Sequence, residues 1–494
     1  MESHGADMGV SQEIELKLVF DPAEGEKLRG AGFLASGTSP SQRLAATYFD
    51  TPDQMLRAAG FSLRLRREDD RQVQTVKASG SAAGLFVRTE WERAVSGDSP
   101  VLDPETDPLH KRFPADRLAA LRPLFRTVVM RDRRVVEQGG ARIEVAIDNG
   151  EVIADDSYEP LCELELELLS GPAHALFDAA RALDAIVPLR LSVLTKSERG
   201  YRLADKVDRT VAKAEPVDLS GAADIPSALG LIARNCIRQI RLNEDIFLSS
   251  GSPASLHQLR VGIRRLRSAL FLFRPIVRND PRYRPIFDGL RELATVMGAV
   301  RDLDVLIARC GPRVQEELAT AREEAREKAV MTLGLASTRH LMLDLAQWLA
   351  LGEWQARAAA GKWANQPPVE FAAHALRRCR RRLKRAGESW TKLDCSHRHM
   401  VRKEAKKLRY SVEFFASLFT GDKAEHRRAA FRDALEDLQD DLGALNDLAV
   451  APELLARLGM ADALPEPSRR KQQAMIDSAG RKLSTLLATK GFWG

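Results

Sequence analysis

Glu13-Ile14-Glu15-Leu16-Lys17-Leu18 alternates charged with apolar residues. The same period of two returns in Leu63-Arg64-Leu65-Arg66 and in Glu163-Leu164-Glu165-Leu166-Glu167-Leu168, while Arg88, Glu90 and Glu92 share one parity. Alternation of this kind places one set of side chains on each face of a strand. One such strand is ordinarily a solvated face over a core. The set is harder to place that way, because the signs are sorted by strand. Glu13 and Glu15, with Glu163, Glu165 and Glu167, bring carboxylates; Arg64, Arg66, Lys77, Arg88, Arg131, Arg133 and Lys196 bring cations. If the sheet closes into a barrel, helices cover its apolar outside and the charged faces converge inward. A charged lumen costs desolvation that ligand, metal and water must offset.

That sorting points to a chemistry. Clustered carboxylates bind hard divalent cations such as Mg²⁺ or Mn²⁺. Arg and Lys bind phosphate oxygens, Arg bidentately. Phosphoryl transfer uses both, with metal to neutralise charge and cations to stabilise the phosphates. Water serves as the nucleophile.

The strand pattern runs to about residue 205, interrupted by helical stretches such as Ala173 to Ile186. The small-residue run Ala78-Ser79-Gly80-Ser81-Ala82-Ala83-Gly84 reads as a turn. A mixed, turn-rich linker follows over 206–221, and long amphipathic helical segments fill 222–494. The expected fold is α+β in two domains, an antiparallel β domain with flanking helices and then an all-α bundle. At 494 residues the chain is too long for one ordinary core, and its 44% hydrophobic content suffices for two. Its net charge of +6 arises from 75 basic and 69 acidic residues, so position matters more than total. Five scattered cysteines without a CxxC pair indicate neither zinc nor a disulfide framework. The N-terminus lacks signal-peptide character, and no apolar run approaches the ~20 residues that span a bilayer, so a cytoplasmic protein without a membrane partner is expected.

The helical half repeats itself. His257-x-x-Arg260-x-x-x-Arg264-Arg265-x-Arg267 returns as His399-x-x-Arg402-x-x-x-Lys406-Lys407-x-Arg409, and Gly298-Ala-Val-Arg301-Asp302 as Gly443-Ala-Leu-Asn446-Asp447. Two units of about four helices each are expected, over about 222–355 and 368–494. At about 100° per residue, His257, Arg260, Arg264 and Arg267 fall within roughly 80° of arc, beside an apolar stripe. A basic stripe repeated with its histidine suggests a polyanion site. Because the stripes lack interleaved aromatics, nucleic acid is disfavoured.

Glu13-x-Glu15-x-Lys17 resembles the ExExK signature of the CYTH family, the triphosphate tunnel metalloenzymes. The likeness continues through Tyr48-Phe49-Asp50-Thr51-Pro52, Gly60 to Arg66, Thr75-Val76-Lys77, Arg88 to Glu92, Arg131, Asp148-Asn149-Gly150, Cys162 to Glu167, and Ser192 to Tyr201. It spans about 12–205. The helical half, 222–494, is similar to CHAD domains, whose association is with inorganic polyphosphate. The resemblance implies a closed antiparallel eight-stranded β-barrel, a tunnel that cuts inorganic triphosphate (tripolyphosphate) to pyrophosphate and phosphate. It implies metal ligands at Glu13, Glu15, Glu163 and Glu165, supplemented by Glu90 and Asp148, although the Glu163/Glu165/Glu167 triplet leaves open which two face the metal. Lys17, Arg64, Arg66, Lys77, Arg88, Arg131, Arg133 and Lys196 are implied as triphosphate contacts. Polyphosphate is expected at His257, Arg260, Arg264, Arg265, Arg267, His399, Arg402, Lys406, Lys407 and Arg409. Two alternatives stay open: a polyphosphate-binding scaffold with a vestigial tunnel, or a family member acting on an organic triphosphate, as thiamine triphosphatase or adenylate cyclase does.

Overall fold

The computed structural model describes all residues except 1–8, 35–39, 69–70, 79–80, 83–84, 105–106, 208–209, 462, 464–467 and 494. Of the turn read at 78–84, Ser79, Gly80, Ala83 and Gly84 therefore lie outside the described residues. The described part falls into two compact units, one of residues up to Thr210 with Leu333–Leu351, the other Val211–Thr332 with Gly352–Gly494. By sequence order the stretch Leu333–Leu351 sits inside the expected helical domain, yet it packs with the barrel.

The alternating segments of the first unit form strands β1 (Gly9–Val19), β2 (Gln42–Asp50), β3 (Phe61–Glu68), β4 (Arg71–Ala78), β5 (Ser81–Ala82), β6 (Leu85–Val95), β7 (Arg122–Gln138), β8 (Ala141–Ala154), β9 (Ser157–Ser170) and β10 (Arg190–Leu191). Eight of them pair in the order β1-β9-β8-β7-β2-β3-β4-β6, and β6 pairs back onto β1, so the expected eight-stranded antiparallel barrel closes. The two-residue strands β5 and β10 pair outside this ring, on β6 and β1. Closure leaves no free edge among the long strands.

Parity then sorts the side chains. Leu16, Leu18, Leu164 and Leu166 turn outward and are fully buried. They lie on the strands covered by helix His174–Asp184, which buries Leu176, Phe177 and Leu183. The opposite parity carries the charges inward. On that same inward parity Tyr48, cross-strand to Arg64, stacks on Phe125 at 4.7 Å, and Tyr201 sits edge-on to Phe125 at 5.0 Å. At Gly150, on β8, an added Cβ would lie 2.0 Å from the Val128 carbonyl oxygen of β7, so the Asp148-Asn149-Gly150 motif ends in a residue that lets two strand backbones approach.

In the second unit, helix Ile225–Ser250 packs against Pro253–Leu272, which also contacts Tyr283–Ile307. Pro368–Ala386 packs against Cys395–Phe414 in the same way, and Asp422–Arg457 against Arg469–Ala488. The two basic helices, Pro253–Leu272 and Cys395–Phe414, meet each other.

Candidate active site

A cavity of about 290 Å³ runs inside the barrel. Register explains its lining. Glu13 of β1 faces Arg88 of β6, Glu15 faces Glu167 of β9, and Lys17 faces Glu165. Across the barrel, Tyr48 pairs with Arg64, Arg64 with Thr75, and Lys77 with Glu90. Helix Lys196–Ala204 adds Lys196 at its first position, held by a capping box between Thr195 and Glu198. That helix is anchored by Asp50, which accepts from the Tyr201 hydroxyl (2.7 Å) and from the backbone amides of Thr51, Leu56 and Arg57.

All eight expected phosphate contacts line the cavity: Lys17, Arg64, Arg66, Lys77, Arg88, Arg131, Arg133 and Lys196. Of the six expected metal ligands, Glu13, Glu15, Glu90 and Glu165 line it; Asp148 and Glu163 do not. Both are fully buried and consumed by ion pairs. Asp148 holds Arg131 and Lys196, the latter at 2.8 Å, while Glu163 holds Lys196 at 3.1 Å and Arg199 at 3.0 Å. They share the inward parity but lie beyond the cavity lining, where they hold cations. Within the triplet, the cavity therefore receives Glu165 and Glu167. Glu92 and Glu144 also line it; parity in the sequence groups Glu92 with Glu90 but assigns neither Glu92 nor Glu144 a role, although Glu144 shares the parity of Asp148.

Three of the lining carboxylates rest on cations. Glu13 accepts from Lys77 at 2.9 Å, Glu15 from Arg88, and Glu165 from Lys17, Arg131 (2.6 Å) and Lys196 (2.7 Å). Burial would raise the Glu13 carboxyl, but Lys77 and Arg88 outweigh it and bring it down to about 2. Burial likewise opposes ionisation of Glu165, which Lys17, Lys196 and Arg131 hold well below the usual carboxylate range. Glu167 is the contrary case: burial, then Glu13 and Glu144, push it up to about 7.

Among the described residues, no three acidic, histidine or cysteine side chains converge as a metal cage. The donor set still suits a hard divalent cation, being made of carboxylate oxygens. Glu15, Glu167 and Glu144 are successive cross-strand neighbours on β1, β9 and β8, an arrangement of like charges that a cation would relieve. Eight cationic side chains and seven carboxylates line the cavity among the described residues. With this near balance, a polyphosphate chain entering alone would add excess negative charge to the lumen.

The ten expected polyphosphate residues divide. His257, Arg260, Arg264, Arg402, Lys406 and Arg409 crowd one another where the basic helices meet, joined by Arg301 from helix Tyr283–Ile307. Burial, then Arg264, Arg402, Arg409 and Arg260, push the Lys406 ammonium down to about 6. Burial, then Arg301, Arg264, Arg260 and Lys406, push His257 down to about 4. Asp302, 3.3 Å from Arg260, offsets only part of this charge. The other four sit differently. Arg265 is buried against Asn235, Gln239 and Glu413, Arg267 lies over Phe287, Lys407 pairs with Glu404, and His399 bonds Asn446 at 2.7 Å. Arg265, Arg267 and Lys407 hold helices together outside the crowded cluster. Arg301 was visible in the repeated Gly298 to Asp302 motif but was not read as a binding residue.

A closed tunnel of this lining followed by a duplicated helical half corresponds to two known domains. Residues 11–201 match the CYTH domain and residues 231–456 match the CHAD domain. The chain thus carries a CYTH domain followed by a CHAD domain. It is 35% identical over 204 residues to an inorganic triphosphatase of Haemophilus influenzae, covering 40% of this chain and 56% of that protein. The match thus spans little more than half the relative's length. Two uncharacterized Mycobacterium tuberculosis proteins are 26% identical over 443 residues, covering 82% of this chain and 81% of theirs. A crystal structure of the CHAD domain from the plant Ricinus communis aligns with 56% of this chain and 90% of its own, at 28% identity and a TM-score of 0.45.

Proposed function

We propose that the tunnel hydrolyses inorganic triphosphate to pyrophosphate and phosphate with a divalent metal, Mg²⁺ or Mn²⁺, and that the helical domain binds inorganic polyphosphate. The observation that carries the first part is the cavity lining, in which carboxylates and cations of near-equal number face one lumen. Arg64, Arg66, Lys77, Arg131 and Arg133 would donate to phosphate oxygens. As the substrate's oxygens take over Lys77 and Arg88, Glu13 and Glu15 lose those partners and become free to ligate. Glu13, Glu15, Glu165 and Glu167 would hold the metal, which supplies charge neutralisation and polarisation of the phosphoryl group. Water attacks the terminal phosphorus, the bond to the bridging oxygen breaks, and the surrounding cations stabilise the charge released onto pyrophosphate.

The inorganic substrate is favoured over an organic one by the same lining. Ala146 is its one aliphatic side chain and Tyr48 its one aromatic among the described residues, so little surface is offered to adenine or thiamine. The second part rests on the crowded cluster of His257, Arg260, Arg264, Arg402, Lys406 and Arg409, whose mutual repulsion an anionic chain would relieve.

A substrate panel of tripolyphosphate, ATP, thiamine triphosphate and long polyphosphate, each with Mg²⁺ and Mn²⁺, tests the reading. Tripolyphosphate should be turned over fastest, and Glu15→Gln should lower its kcat by about a hundredfold or more with the melting temperature retained. Release of phosphate from none of the four would leave the scaffold alternative standing.

A further inference from the structure

A second cavity, of about 590 Å³, opens in the helical unit away from the crowded cluster. It forms where the chain after helix Pro253–Leu272, the segment around Trp363, and helix Pro368–Ala386 come together. Arg274, Arg278, Lys362 and Arg378 line it, with His374, Arg357 and Arg382 beside them, and among the described residues no carboxylate lines it. Arg357 and Arg382 have partners, in Asp280 at 2.5 Å and Glu404 at 3.0 Å. Arg378 is spent only in part. One terminal nitrogen donates to the Leu272 carbonyl at 2.7 Å, while its Nε is buried without a hydrogen-bond partner. Burial chiefly, with Arg382 and Arg274 beside it and Cys379 opposing, lowers the Arg378 guanidinium.

Besides Asn279 and Gly361, the remaining wall is apolar and partly aromatic: Phe271, Pro275, Ile276, Ala358 and Trp363. Trp363 is fixed edge-on to Phe371 at 5.1 Å and near His374 at 5.3 Å, with the flexible Lys362 ammonium 5.5 Å from its ring. This lining differs in kind from the tunnel's. An inorganic phosphate chain has no use for an indole wall, and a purely apolar ligand has no use for four cations. Their combination suits an anion that carries a flat ring, since a base stacks on an aromatic face while Arg and Lys take phosphate oxygens.

We propose that this pocket binds a nucleoside phosphate, with its phosphates on Arg274, Arg278 and Arg378 and its base against Trp363. The site is separate from both the tunnel and the crowded cluster, and it does not depend on what either of those binds.

The test is calorimetric titration of the full chain, without divalent metal, using ATP, ADP, adenosine and inorganic tripolyphosphate. ATP should bind, adenosine should bind at least about tenfold more weakly, and Arg278→Ser or Trp363→Leu should each weaken ATP by about tenfold or more. Tripolyphosphate binding should be insensitive to Trp363→Leu, and the tunnel substitution Arg64→Ala should leave ATP binding intact. Arg278 and Lys362 are exposed, so Arg278→Ser and Lys362→Ser give loss-of-charge variants that retain the fold, with melting temperature as control. Loss of ATP binding in Arg64→Ala but not in Arg278→Ser would overturn the proposal in favour of the tunnel. Indifference of ATP to Trp363→Leu, with tripolyphosphate binding as tightly as ATP, would reduce the pocket to an inorganic anion site and also overturn it.

Discussion

Gly200 has no room for a side chain. A Cβ there would lie 2.0 Å from the ring of Phe125, itself stacked on Tyr48. The residue sits in helix Lys196–Ala204, so any displacement is passed to Lys196 and its pairs with Asp148, Glu163 and Glu165. Gly200→Ala should cost about 1–3 kcal/mol in chemical denaturation and lower triphosphate turnover as well. Lys406 makes a pH prediction. Its folded value of about 6 lies below the ordinary lysine range because burial and Arg264, Arg402, Arg409 and Arg260 disfavour its charge; His257 and Arg301 complete the cationic surroundings, and Asp302 and Asp447 are the nearby carboxylates. A depressed value contributes stability present above the unfolded pKa and lost as pH falls toward about 6. An anionic chain restores the charge, so binding takes up a proton, and affinity for polyphosphate should fall as pH rises above about 6. Titrations between pH 6 and 9 check this, and Lys406→Arg should flatten the profile.

Helices Pro253–Leu272 and Cys395–Phe414 show what repetition does. Each has a buried stripe, Leu259, Ile263, Leu266 and Leu270 in one and Val401, Ala405, Leu408 and Val412 in the other. Packing these stripes inward brings the basic stripes together, and Arg264 of one helix donates to the Tyr410 hydroxyl of the other at 2.8 Å. The stripe was legible from sequence, but its membership was not. Helical angle alone groups Arg267 with Arg264, whereas packing turns Arg267 onto Phe287. The double substitution Arg260→Ala/Arg402→Ala should weaken polyphosphate binding by about tenfold or more and reduce its salt dependence by about two counterions, leaving tripolyphosphate kcat unchanged. Parallel loss of both activities would mean that one site serves both.

Chain order and compactness disagree over Leu333–Leu351. Helix Ala336–Leu351 joins the barrel's unit through Arg339, whose guanidinium grips both oxygens of buried Asp184 at 2.5 and 2.9 Å. Arg181 donates to Asp344 and Gln347, each at 2.6 Å, on the same face. Removing one partner of a buried pair leaves the other uncompensated. Arg339→Ala should therefore destabilise the unfolding transition of the barrel unit by about 3 kcal/mol, seen by calorimetry on the full chain. A shift confined to the helical unit's transition would contradict the assignment of this helix to the barrel.

The alternation of charge with Leu and Ile determined the strands and the sign of each face, because parity on a pleated strand depends only on local sequence, whereas closure rests on the pairing of β6 with β1. The repeated basic stripes determined the paired helices for a similar reason. Tertiary structure alone decided that Glu167 and Glu144 reach the lumen while Glu163 and Asp148 are absorbed by Lys196, Arg199 and Arg131. Parity assigns a face, but depth along the tunnel is set by register between strands far apart in sequence and by where a capped helix end projects its lysine. It also decided the fate of Leu333–Leu351, since a helix's apolar stripe does not name its partner. Glu13, Glu15 and Lys17 share one face by sequence, and the register against Glu167, Glu165 and Arg88 decides which charge each one meets.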